Sequence, residues 1–164
     1  MEKDSAAVPV IAGLAVGIAL VVSFSLLLGP TASSFPSPRS LEKAVIIMER
    51  TVCFGTCPDY SLTVYGNGTV IYEGRNFVAV TGRQTSSISQ EQVRELVRAF
   101  YEIDYFSLKN EYSAQVTDLP TTTTSITVDG HFKQVINYYG APEQLIELEN
   151  KIDDISSSEK WVGR

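Results

Sequence analysis

The chain has 164 residues, enough for one ordinary domain. Charged residues make up 20% and aromatic residues 10%, a balance that excludes a disordered chain. A net charge of −6 opposes nucleic-acid binding, which needs a basic surface.

That average hides a division. Residues 5–38 carry no charge, whereas residues 41–164 carry 11 basic and 17 acidic side chains. Residues 8–28 form an apolar run of 21 residues. As a helix it would be about 31 Å long, the thickness of a hydrocarbon core of about 30 Å. Pro9 falls in the first turn, where proline is tolerated, and Gly29-Pro30 ends the run. Gly13 and Gly17 are spaced to let a second helix approach, although the small-residue composition of the run accounts for that pattern. A cleaved secretory signal usually has an apolar core of about 7–15 residues and a small-x-small cleavage site. Here the run is longer, Pro30-Thr31-Ala32 is a poor cleavage site, and no cysteine follows to accept a lipid. The expected organisation is a tail (1–7), an uncleaved transmembrane helix (8–28), a Ser/Pro-rich stalk (29–41) and a soluble domain (42–164).

Lys3, offset by Glu2 and Asp4, faces Arg39 and Lys43 across the run, so the positive-inside rule assigns no orientation. The Ser/Pro stalk, two closely spaced cysteines and the sequon Asn67-Gly68-Thr69 place the domain outside the cytoplasm, although that sequon reads first as a hairpin turn. The expected location is the cell membrane, single-pass, with an extracytoplasmic domain.

Within the domain, residues 44–51 are a β-rich apolar run. Residues 60–65 alternate and are followed by Asn67-Gly68 and a second run, 69–73, which predicts a hairpin. A two-residue loop would pair Val64 with Ile71 and Tyr65 with Val70. Leu62, Val64 and Ile71 would then share one face, and Thr63, Tyr65, Val70 and Tyr72 the other. Residues 77–81 predict a further strand ending at Gly82. Ser89 and Gln92 form a capping box before Val93, Leu96, Val97, Phe100 and Ile103, an amphipathic helix reaching about Tyr105. Residues 107–120 show no periodicity, and an irregular stretch of that length is often functional. Residues 121–128 and 132–138 predict a second hairpin around Asp129-Gly130, with a three-residue loop that includes His131 and pairs Val128 with Phe132 and Thr124 with Ile136. Pro142 opens a last helix with Leu145, Leu148, Ile152 and Ile155 on its stripe, and Glu143, Glu147, Glu149, Asp153 and Asp154 mostly solvated. The order β-β-β-(β)-α-β-β-α predicts an α+β domain, an antiparallel sheet with two helices on one face.

The densest motif is Arg50-Thr51-Val52-Cys53-Phe54-Gly55-Thr56-Cys57-Pro58-Asp59-Tyr60. Its cysteines are the only two in the chain, spaced C-x-x-x-C. They have three uses. A disulfide would close the turn between two strands and contribute about 2 kcal/mol by loop entropy. Thiol redox chemistry usually takes C-x-x-C at a helix N-terminus, whereas this run leads into a strand. A metal would need two more ligands, drawn from His131 and either Asp118 or Asp59. No phosphate loop, paired-carboxylate signature or catalytic triad is visible. His131 in a turn and Ser89 as a cap are ordinary structural positions, and Asp118 before Leu119-Pro120 reads as a turn residue. Phe54, Asp59, Tyr65, Tyr72 and Asp118 are the residues that could form a binding surface.

The Arg-Thr-x-Cys-Phe-Gly-x-Cys-Pro-x-Tyr run resembles the signature of an uncharacterised family, the domain of unknown function numbered 6438. The resemblance continues through Asn67-Gly68-Thr69-Val70, Tyr72-Glu73-Gly74, Gly82, Ile103-Asp104-Tyr105-Phe106 and Thr117-Asp118-Leu119-Pro120, spanning about residues 42–162. It implies a small envelope or secreted bacterial or archaeal protein. It implies no activity. The longer apolar leader without a lipid-accepting cysteine departs from that pattern. The expected function is therefore a non-catalytic module with a membrane anchor, no cofactor, and a protein or glycan partner. The alternative is a thiol-redox or metal-dependent protein centred on Cys53 and Cys57.

Overall fold

A computed structural model describes residues 41–163. The expected tail, transmembrane helix and stalk up to residue 40 lie outside the described residues. Among the described residues no helix is long and apolar enough to cross a membrane. Leu41, expected at the end of the stalk, is buried in the core of the domain.

The elements are β1 (Val45–Arg50), β2 (Asp59–Tyr65), β3 (Thr69–Asn76), β4 (Gly82–Ser87), α1 (Gln90–Glu102), a 3-10 turn (Tyr105–Ser107), β5 (Glu111–Tyr112), β6 (Thr122–Val128), β7 (His131–Asn137), α2 (Glu143–Ser156) and α3 (Glu159–Val162). The sheet order is β4-β3-β2-β1-β6-β7-β5. The domain is α+β as expected, but the sheet is mixed, because β5 runs parallel to the end of β7.

Alternation along each strand sorts side chains between two faces. Ile46, Met48, Leu62, Val64, Val70, Tyr72, Ile126, Val128 and Val135 face the helices. They form one core with Leu96, Val97 and Phe100 of α1 and Leu145, Leu148 and Ile152 of α2. Ile47, Tyr65 and Phe132 lie on the other face and remain exposed. α1 starts at the predicted capping box: the Ser89 hydroxyl accepts from Gln92 N–H at 3.2 Å, and Gln92 Oε1 accepts from Ser89 N–H at 2.9 Å.

Both hairpins differ by one residue from the pairings expected. In the first, Val64 pairs with Val70 and Leu62 with Tyr72 around a loop of Gly66, Asn67 and Gly68. Gly66 N–H donates to Ala44 C=O at 2.7 Å. A Cβ on Gly66 would sit 1.9 Å from the Leu41 carbonyl oxygen, so only glycine fits there. Gly68 has φ +88°, and its N–H closes the loop onto Tyr65 C=O at 2.8 Å. The expected register would have turned Glu73 into the core and Val70 and Tyr72 out of it. In the second hairpin, Val128 pairs with His131 and Thr124 with Val135. Its loop has only two residues, Asp129 (φ 52°) and Gly130 (φ 76°), both left-handed as a tight hairpin turn requires. Phe132 therefore faces away from the core.

The strand expected at 77–81 is instead a bend, and the strand follows it. Phe77 has φ 53°. Ala79 and Val80 donate their N–H groups to the carbonyls of Val162 and Trp161, at 3.1 and 2.8 Å. The apolar residues of 77–81 thus fasten the C-terminal segment, while the polar 82–87 pairs with β3. That edge position explains why β4 lacks an apolar alternation.

Candidate functional site

The segments joining β1 to β2 and leading into β6 meet at one end of the sheet. The described chain begins at the other end, where Leu41 packs beside Gly66. Thr51 ties the two segments together: its N–H donates to Thr121 C=O at 3.0 Å, and its hydroxyl accepts from Thr121 N–H at 3.1 Å. Cys53 and Cys57 form a disulfide with their Cα atoms 5.5 Å apart. Inside that turn Gly55 N–H donates to Cys53 C=O at 2.8 Å. Phe54 N–H reaches Asp118 C=O at 3.4 Å, and Tyr138 OH donates to Val116 C=O at 2.8 Å.

These bonds hold an apolar tip in water. Phe54 is 87% exposed, and Val52, Val116 and Leu119 are also exposed. Asp118 adopts φ 71°, and its side chain accepts from the Thr117 hydroxyl at 3.1 Å. Phe54 and Asp118, singled out separately in the sequence, are therefore neighbours.

The other sequence candidates lie elsewhere. Asp59 is buried and accepts from Arg75 Nε at 2.6 Å and Asn76 Nδ2 at 2.8 Å, beside an irregularity in the β2–β3 register. Arg75 also binds Glu49 at 2.8 Å. Tyr72 does not share a face with Tyr65. It is fully buried, stacks on Trp161 at 5.0 Å between ring centres, and donates its hydroxyl to Val80 C=O at 3.1 Å. Burial raises its pKa. Tyr65 is on the open face, at the end of β2 far from the cysteines. His131 opens β7 at that same far end, so it does not join Cys53 and Cys57. Among the described residues no group of three or more His, Cys, Asp or Glu side chains is placed to hold a metal.

Directly under the tip lies a polar cluster that the sequence reading missed. Arg50, the last residue of β1, donates to Asp153 Oδ2 through Nε at 3.1 Å and to the Thr122 hydroxyl at 3.0 Å. Asp153 Oδ1 accepts from Tyr60 OH and Ser158 OH, each at 2.6 Å. Burial lowers the Arg50 pKa, but Asp153, Tyr60 and Glu149 outweigh it and hold the guanidinium above its ordinary value. One turn back on α2, Glu149 is 2% exposed and accepts from Asn137 Nδ2 at 3.0 and 3.1 Å. Burial raises its pKa to about 7, against the Asn137 hydrogen bond and the Arg50 charge, with Asp153 adding to the rise. Glu149 was expected in water. The overlooked signal is its spacing: Leu145, Glu149, Ile152 and Ser156 recur at helical intervals and all are buried. The first and last residues of the cysteine motif, Arg50 and Tyr60, thus clamp the turn to α2. A shallow cleft of about 200 Å³ opens between α2 and α3, with Tyr60, Asn150 and Ser158 in its lining.

Residues 44–156 match the family model of a domain of unknown function, DUF6438. No curated protein matches the chain significantly.

Proposed function

We propose that this chain, which belongs to the DUF6438 family, is a membrane-anchored, non-catalytic interaction module. Its domain is extracytoplasmic and binds a protein or glycan through the end of the sheet that bears the disulfide turn.

The observation that carries this reading is the restrained apolar tip. Phe54 stands in water on a turn closed by Cys53–Cys57 and tied to the backbone at Asp118. Val52, Val116 and Leu119 are exposed on the same two segments and gain by being covered, and an aromatic anchor is the usual centre of such an interface. The crosslink and the Thr51–Thr121 bonds reduce the ordering cost of binding. The described chain enters β1 at the end of the sheet opposite the tip.

The polar cluster beneath supports a structural role for the motif. Asp153 already accepts hydrogen bonds from Arg50, Tyr60 and Ser158. The cysteines lead through Pro58 into a strand rather than sitting at a helix N-terminus, where the dipole would activate a thiol.

The test is crosslinking and recovery of the full chain from its native membrane, comparing Phe54→Ser and Leu119→Ser with Phe132→Ser at the far end. A specific partner lost with the first two and kept with the third is expected. Equal recovery from all three variants, or no reproducible partner, would refute the proposal.

A further inference from the structure

The two edges of the sheet are finished differently. β5 has only two residues and covers one edge where β7 ends. β4 has six residues and pairs with β3 from Gly82 to Ser87 without a register shift. Ile88 N–H donates to Gly68 C=O at 2.8 Å. In an antiparallel ladder Ser86 and Gln84 must then also turn their backbone groups toward β3, and Arg83, Thr85 and Ser87 must turn theirs outward. Among the described residues none of those three makes a backbone hydrogen bond to another segment. β4 contains no proline, no bulge and no acidic residue. Such a regular edge, unpaired among the described residues, is a template for one more strand.

We propose that β4 joins two copies of this chain edge to edge into one continuous sheet, an interface separate from the disulfide tip. The second copy is the occupant because β4 is complementary to itself. An antiparallel pair centred on Thr85 sets Thr85 opposite Thr85 and Arg83 opposite Ser87 on the open face. On the other face it sets Gln84 opposite Ser86. Hydroxyl, amide and guanidinium groups are well matched across strands, and the one charge of the strand never meets its own copy. Arg83 also lies beside Glu73, its partner on β3, so the joined row reads Glu73, Arg83, Ser87, Thr69. The net charge of −6 opposes self-association in general, yet the joining strand has no acid to contribute to that repulsion. The outward-facing residues of the two copies would exchange about six backbone hydrogen bonds.

The test uses the full chain in a mild detergent, followed by sedimentation over a range of concentrations. A reversible dimer is expected. Ser87→Glu, which faces Arg83 of the other copy, should tighten it severalfold, and Ser87→Arg should weaken it severalfold. Thr85→Cys should form a disulfide between copies under mild oxidation. Ile71→Cys, in the same row but one strand inward, should not, because its two copies would stand about 15 Å apart. Three results would overturn the proposal: a monomer at every concentration, Ser87 variants without opposite effects, or Thr85→Cys bridging no faster than Ile71→Cys.

Discussion

Glu149→Gln tests the polar cluster under the tip. The wild-type carboxyl is buried against Asn137 of β7, with Arg50 of β1, Asp153 of α2 and Tyr105 of the 3-10 turn as the ionisable groups around it. Its pKa rises from 4.5 to about 7. At 1.36 kcal/mol for each tenfold change, the charged form is penalised by about 3 kcal/mol as an order of magnitude. The direction follows from proton binding. Below pH 4.5 the folded and unfolded chains both hold the proton; between 4.5 and 7 only the folded chain keeps it. Stability from this group therefore falls as pH rises through that window, and the whole penalty is present above about 7. Glutamine keeps an acceptor for Asn137 and has no charge to bury, although Arg50 loses one of its two acidic neighbours. Urea unfolding of both proteins at pH 5, 6, 7 and 8 measures the difference. The variant should gain on the wild type by about 3 kcal/mol between pH 5 and pH 8. A gap that stays constant with pH, or that moves toward the wild type, would refute the burial argument.

The double substitution Cys53→Ser/Cys57→Ser opens a five-residue loop and should lower stability by about 2 kcal/mol in urea unfolding, leaving the fold intact. Tyr60→Phe removes one hydroxyl from Asp153 and should cost about 1.5–3 kcal/mol by the same assay, because the acceptor is charged and partly buried. Gly66→Ala drives a methyl into the Leu41 carbonyl and should cost more than 3 kcal/mol, visible as a lowered thermal midpoint.

The legible parts of this fold are those written as local patterns. The capping box at Ser89 and the stripe of α1 need only neighbouring residues, and both hold in the structure. The hairpins were legible as hairpins, whereas their registers depended on contacts from afar. Asn67-Gly68 points to a two-residue loop, but Gly66 is drawn out of the ladder by Ala44 and Leu41, residues of a different segment. At Asp129-Gly130 the left-handed pair satisfies the shorter loop, and His131 joins the strand. β4 carries no apolar alternation to read because an edge strand has no need of it, while Val78 and Val80 before it pack against the core and the backbone there bonds the C-terminal segment.

The site divides in the same way. The motif from Arg50 to Tyr60 marked the turn, and Phe54 and Asp118 proved to be neighbours. Tyr65 and Tyr72 separated because the register shift moved Tyr72 to the core face. Asp153 and Glu149 looked like solvated acids on a helix rich in them. Only the approach of Arg50 and Asn137 from two strands shows why they are held inside.

Whether the disulfide tip is a recognition surface is measured by placing a photo-crosslinking side chain at Phe54 in the full chain and irradiating the native membrane, with the same group at Phe132 as the comparison. One discrete crosslinked species is expected from position 54, absent from position 132. This species should survive Cys53→Ser/Cys57→Ser at reduced yield. Crosslinking equal at the two positions, or none at position 54, would contradict it.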